Sequence, residues 1–222
     1  MDNGQPIIIL DFDGTIIRLF SGGDLINLSE NIASMLKQYG LSFDSARDPF
    51  DAFMFVYQSD ISDKNDVLKK LDLIFTEAET KALDTGIIVN GFMNFIDFVR
   101  SNNIQVGIVS NNSEACIKEF FKKTAFCFMP PIVGRISIRP DLMKPNGFLL
   151  KKICEKEKWD VKNVVYIGDN PRDFQCAVSV EARFFAMTPT EKKRARFGEA
   201  FKYPVFSDFA ELIDYLKPNK LS

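Results

Sequence analysis

Asp11 and Asp13 follow the apolar run Ile7-Ile8-Ile9-Leu10 and run into Gly14-Thr15. Two carboxylates delivered by a core-forming segment crowd like charge at the mouth of an apolar interior, where burial penalises the ionised form. The crowding becomes useful if a divalent cation and a phosphoryl group occupy that mouth. Two more polar groups have the same placement. Ser110 and Asn111 end the apolar run from Ile104, and Gly168-Asp169, with Asp173 nearby, ends the run from Val164. One lysine, Lys144, precedes Pro145-Asn146-Gly147 at the entrance of a predicted helix. Taken singly, each piece has a bland explanation as a turn, a helix N-cap or a capped loop. Their joint order along the chain does not.

Composition narrows the chemistry further. The 222 residues include no histidine, so a Ser-His-Asp triad, a Cys-His dyad and a His-ligated zinc site are excluded. Hydrophobic residues make up 46%, which fits a globular chain and no fibrous or disordered one. With 22 phenylalanines against one tryptophan, the core is expected to rest on phenyl packing. The net charge of −2 with interspersed signs lacks the basic footprint of a nucleic-acid binder, so no nucleic-acid partner is expected. Cys116, Cys127, Cys154 and Cys176 form no CxxC pair and read as reduced, mostly buried thiols. No leader or long apolar span is seen, and the final Lys-Leu-Ser is not a peroxisomal address. The expectation is a soluble, cytoplasmic protein without a membrane partner.

Elements that hold these groups can be read from apolar periodicity. The runs Ile7 to Asp11, Ile104 to Ser110 and Val164 to Asp169, and a weaker one from Phe184 to Met187, are short and rich in Val and Ile, as buried parallel strands are. Amphipathic helices are predicted over Gly91 to Arg100, Ser113 to Lys123, Gly147 to Lys156 and Asp208 to Leu216. The alternation predicts an α/β fold with a doubly wound, mostly parallel sheet, whose carboxyl edge is where ligands bind. The stretch from Ile17 to Leu83 breaks the rhythm with successive helices near Asp24 to Gln38, Pro49 to Tyr57 and Asp63 to Leu83. It reads as a helical insertion, with Gly22-Gly23 and Gly86 as hinges or plain turns.

In this order the motifs resemble those of the haloacid dehalogenase superfamily, specifically its capped phosphatases. The likeness rests on Asp11-Phe12-Asp13-Gly14-Thr15-Ile16, on Ile108-Val109-Ser110-Asn111, on Lys144-Pro145 preceded by Gly134-Arg135, and on Gly168-Asp169 with Asp173. It implies a Rossmann-like core over residues 1–16 and 87–222 and a helical cap domain over 17–86. It also implies a phosphatase acting on a small phosphorylated metabolite. Asp11 would be the nucleophile that forms an aspartyl-phosphate, and Asp13 the acid and then the base. Ser110, Asn111 and Lys144 would bind the phosphoryl group. Mg²⁺ would be held by Asp11, Asp13 through its carbonyl, and Asp169, with Asp173 anchoring Lys144 or a metal-bound water. Electrostatics points to the same cation, because each pair of carboxylates repels by about 4 kcal/mol at roughly 4 Å in an effective dielectric near 20. Hard oxygen donors and phosphate select Mg²⁺.

An acid at position 13 favours phosphate esters over halides, which leave without protonation. The alternatives are a phosphomutase of the same fold and a non-catalytic phosphate- or metal-binding regulatory module of the receiver kind. Ile17-Arg18-Leu19 lacks the acidic residue that phosphoglycolate-type phosphatases often place there. Arg18 is read as an ordinary arginine ahead of a contact for a second anionic group. The cluster Lys192-Lys193-Arg194 with Arg196 is read as a solvated helix face. Trp159, Phe92, Phe95, Phe98, Phe120 and Phe121 are read as packing.

Overall fold

A computed structural model describes residues 6–124, 128–188, 190–198 and 201–217. Its first strand, β1 (Ile7–Leu10), leads into β2 (Ile17–Arg18) and three helices, α1 (Gly22–Lys37), α2 (Asp51–Gln58) and α3 (Lys64–Ala82). Then follow β3 (Ile87–Ile88), α4 (Phe92–Ser101), β4 (Val106–Val109), α5 (Glu114–Lys123), β5 (Ile132–Val133) and α6 (Phe148–Glu157). The chain ends with β6 (Val164–Gly168), α7 (Pro171–Val178), β7 (Arg183–Met187), α8 (Glu191–Ala195), β8 (Val205–Phe206) and α9 (Phe209–Leu216).

Six strands form one parallel sheet in the order β5-β4-β1-β6-β7-β8. The chain leaves β1 toward β4 and β5, then returns to place β6 on the other flank of β1. That reversal makes the carboxyl end of β1 a topological switch point, where a crevice opens between neighbouring loops. Side chains of β1 alternate across the sheet. Ile8 and Leu10 join one core with Phe92, Phe95, Ile117, Phe121 and Phe209 from α4, α5 and α9. Ile7 and Ile9 join the other with Leu149, Ile153, Cys176 and Tyr166, beneath α6 and α7. Both faces are therefore covered, which is why the strands read as unbroken apolar runs. Phenylalanine does fill these cores, and Trp159 packs against the second of them.

The helices α1 to α3 have a core of their own, in which Leu28, Ile32, Phe53, Leu71 and Phe75 are buried with Met143 from the segment before α6. A two-stranded antiparallel ribbon, β2 with β3, joins this unit to the sheet, pairing Ile17 with Ile88 and Arg18 with Ile87. The turn reading of Gly22 and Gly23 is corrected by the structure: they are the first residues of α1. Ser21 and Asp24 cap that helix reciprocally, and this local bonding outweighs the weak helix propensity of two glycines. Gly86 marks a close approach, since a Cβ there would lie 2.7 Å from Ile17 Cδ1.

Cys116, Cys154 and Cys176 are free and buried, while Cys127 and the final Lys-Leu-Ser lie outside the described residues. Lys192 and Arg194 are exposed on α8, and the side chain of Lys193 lies outside the described residues. Among the described residues no helix is long and apolar enough to cross a membrane.

Candidate active site

Parallel strands end together, so the residues just past β1, β4 and β6 meet at one edge. Asp11 follows β1, Ser110 follows β4 and Asp169 follows β6. All three line one pocket of about 120 Å³ with Asp13, Asn111, Lys144 and Asp173. Every residue singled out from the sequence for this site is thus brought together.

Lys144 is the hub. Its ammonium is buried and lies 2.6 Å from Asp11 Oδ1 and 2.6 Å from Asp173 Oδ1. Burial alone would lower its pKa, but Asp11 and Asp173 more than offset that and hold it above the ordinary lysine value. Asn111 fixes the backbone beneath it: its Oδ1 accepts from Lys144 N–H at 3.0 Å and its Nδ2 donates to the Lys144 carbonyl at 3.1 Å. Asp173 is held from three sides. It accepts from Lys144, from the Tyr166 hydroxyl at 3.3 Å and from the Asn170 amide at 3.0 Å, the last closing the capping box of α7. Gly168 permits this, because a Cβ there would collide with the Asp173 carboxylate.

Asp169 lies over the first motif. Gly14 adopts φ +87°, and a Cβ there would strike the Asp169 carboxylate. Only glycine suits that backbone region and that close approach. One carboxylate oxygen each from Asp11, Asp169 and Asp173 lie within 4.8 Å of one another, so a small cation fits among them. Asp11 Oδ1 is taken by Lys144, and Oδ2 accepts no hydrogen bond from the described residues. Asp13 stands to the side with its Oδ1 accepting from Leu19 N–H at 2.9 Å. Burial is the main cause that pushes its pKa up to about 7, with the charges of Asp11, Asp169 and Glu79 adding to it and the Leu19 bond pulling back.

Asp13 makes the stability of the cation-free protein depend on pH. A carboxyl with a raised native pKa binds more protons folded than unfolded, so stability is kept below the unfolded pKa of about 3.9 and lost as pH rises above it. Asp13, at about 7, places that loss across the mildly acidic to neutral range. With no histidine in the chain, ordinary side chains do not mask the effect. In buffer stripped of divalent cations, calorimetry is expected to give a lower melting temperature at pH 7.5 than at pH 5.5. A flat or rising trend would contradict the burial of this group.

Sequence reasoning missed a second layer. Ser110 Oγ donates to Asn112 Oδ1 at 2.8 Å, and Asn112 Nδ2 donates to Glu79 Oε1 at 3.1 Å. Glu79, from α3, also accepts from Ser113 N–H at 3.0 Å and from Arg135 Nη1 at 2.7 Å. Arg135 further holds Asp72 at 2.7 Å and the Asn111 carbonyl at 3.0 Å, and its guanidinium lies 5.3 Å from the Phe53 ring centre. Both Glu79 and Arg135 side chains are fully buried. A charged residue on the apolar stripe of α3, between Phe75 and Ala82, was the signal that could have flagged Glu79. Arg172, at the start of α7, pairs with Asp51 at 3.0 Å and Asp48 at 3.7 Å, a second tie between the sheet and the helical unit.

The sequence matches a family model described as haloacid dehalogenase-like hydrolase over residues 8–187. No curated protein matches it significantly. Among solved structures, it is similar to a hydrolase from Pseudomonas syringae, with TM-score 0.69 and 16% identity over 96% of this chain and 99% of that one. A predicted phosphatase from Clostridium acetobutylicum gives TM-score 0.66 at 15% identity, covering 95% of this chain and 97% of that one. A predicted phosphoglycolate phosphatase from Haemophilus somnus gives 0.62 at 17% identity, covering 96% and 98%. At such identities the likeness carries the fold alone.

Proposed function

Since the chain belongs to the haloacid dehalogenase-like hydrolases, we propose that it is a Mg²⁺-dependent phosphatase of a small phosphate monoester. The observation that carries this reading is the buried constellation of Asp11, Lys144 and Asp173, with Asp169 within reach of the same point. Asp11 attacks phosphorus in line, giving an aspartyl-phosphate and releasing an alcohol. Asp13, whose raised pKa suits an acid, gives its proton to the leaving ester oxygen as the P–O bond breaks, and then takes a proton from the water that cleaves the acyl-phosphate. Lys144 orients Asp11 and offsets charge on the phosphoryl oxygens, while Ser110 supplies a hydroxyl to them. Asn111 serves by clamping the backbone of Lys144.

Mg²⁺ suits the all-oxygen donor set of Asp11, Asp169 and the Asp13 carbonyl, and would supply charge neutralisation for the phosphoryl group. Asp173, already engaged by Lys144, Tyr166 and Asn170, serves as the anchor behind them. Residues 17–86 act as the cap over a core of 1–16 and 87–222, a division supported by the separate apolar core of α1 to α3 and by the β2–β3 ribbon. Closure of such a cap excludes water and selects the leaving group. The free, buried cysteines are in keeping with a cytoplasmic protein.

The test is a panel of phosphomonoesters assayed for inorganic phosphate. Release that requires Mg²⁺, stops with EDTA and returns on adding the metal supports the reading. Absence of release from every ester with Mg²⁺ present would refute it. A finer test uses Gly14→Ala, whose Cβ must displace Asp169. The Mg²⁺ concentration for half-maximal activity is expected to rise by about 10- to 100-fold. An unchanged requirement would mean that Asp169 does not hold the metal.

A further inference from the structure

Beyond the phosphoryl pocket the cleft opens into a chamber of about 670 Å³ between α1, the loop before α2, and the sheet edge. Asp13, Asp48, Phe50, Asp169 and Asn170 line both spaces, so the two are continuous. The chamber lies on the side of Asp13, the group placed to protonate the leaving alcohol. It therefore receives whatever the alcohol carries.

Three guanidiniums line this chamber from three separate segments. Arg18 comes from β2, Arg47 from the loop before α2, and Arg196 from just past α8. Arg18 and Arg196 are exposed and make no ion pair or hydrogen bond with the described residues. Arg47, itself exposed, has a half-buried partner, Asp51, at 3.3 Å, which it shares with Arg172. A chain with a net charge of −2 has no general excess of arginine to scatter there. The rest of the lining is mixed: Phe20, Leu25 and Ile26 are apolar, the last 60% exposed, while Asp13 and Asp169 belong to the acidic site and Asp48 pairs with Arg172 at 3.7 Å.

We infer that this chamber binds a second anionic group on the substrate, so that the preferred ester is one whose alcohol is of sugar or nucleoside size and itself carries a phosphate or carboxylate. With about 670 Å³ beside a phosphoryl pocket of about 120 Å³, the chamber has room for an alcohol larger than a two-carbon acid. Guanidinium forks grip phosphate and carboxylate in the same bidentate way, so both groups share this chemistry. Arg18 and Arg196, read from the sequence as ordinary surface charges, become specificity residues. The assignment rests on the phosphatase reading of the acidic site.

The experiment compares kcat/KM for matched pairs: a hexose monophosphate against its bisphosphate, a nucleoside monophosphate against its 3′,5′-bisphosphate, and a sugar phosphate against the corresponding sugar-acid phosphate. Wild type is expected to favour the doubly anionic member by about tenfold or more, carried by KM. Arg18→Gln and Arg196→Gln should each erode that preference by about tenfold. The first two pairs report phosphate recognition and the third carboxylate recognition. Equal kcat/KM within all pairs, with Mg²⁺-dependent hydrolysis intact, overturns the second anionic subsite and leaves the phosphatase reading standing. No hydrolysis of any member, nor of an aryl phosphate, overturns both.

Discussion

Asp11→Asn is expected to abolish hydrolysis of a generic aryl phosphate, with kcat down by at least about four orders of magnitude. The amide has the shape of the carboxylate but no charge to attack phosphorus. Its neighbours argue that the protein survives the change. Asparagine removes one member of a crowded acidic group and retains an oxygen to accept from Lys144, now 2.6 Å from Asp11 Oδ1. The measurement pairs steady-state kinetics with a melting curve. Lost turnover in a folded protein is the expected result, and substantial activity in the folded variant would remove Asp11 from the nucleophile's role.

Lys144→Ala has the second largest effect and strikes stability as well as chemistry. Its ammonium is the shared partner of two buried carboxylates, and without it Asp11 and Asp173 face one another uncompensated. Breaking a buried pair in this way costs about 3–5 kcal/mol. Urea titration should show that loss at neutral pH and a smaller one in acid, where the stranded Asp173 takes up a proton. Loss of its charge at the phosphoryl group should lower kcat by about two to three orders of magnitude. Lys144→Met, which fills the same volume, separates the two effects: it should recover part of the stability and none of the rate. Wild-type kcat in the methionine variant would contradict the assigned role.

Much of the fold was legible because parallel strands buried on both faces leave continuous apolar runs. That is why Ile7 to Asp11 and Val164 to Asp169 were readable, and why the polar residues at their ends mark a common edge. The two-residue strands β5 and β8 were not readable, because two residues have no periodicity, and Pro130-Pro131 and Pro204 disguise them as loops. Helix α7 was hidden in the same way: Gly-Asp-Asn-Pro reads as a turn, yet Asn170 caps a helix that starts at Pro171. The glycine pair at the start of α1 misled because composition was weighed without the capping box around it.

The candidate site divides along similar lines. Groups that end strands were found from spacing, since the sheet dictates where strand ends lie. The Glu79–Arg135 pair joins residues 56 apart in sequence, from a helix of one unit to a loop of the other. No periodicity encodes such a meeting, and it emerges only when the helical unit is docked. Through Asn112 the pair reaches the hydroxyl of Ser110, so the seating of α3 and the geometry of the candidate site are joined by one hydrogen-bond chain.

Calorimetric titration of the metal-free protein with Mg²⁺, in wild type and in Asp169→Asn, goes to the centre of the account. One ion per chain, bound by wild type and lost in the variant, is the expected outcome. Hydrolysis that proceeds in EDTA, with no heat of Mg²⁺ binding, would mean that the acidic edge serves some other purpose.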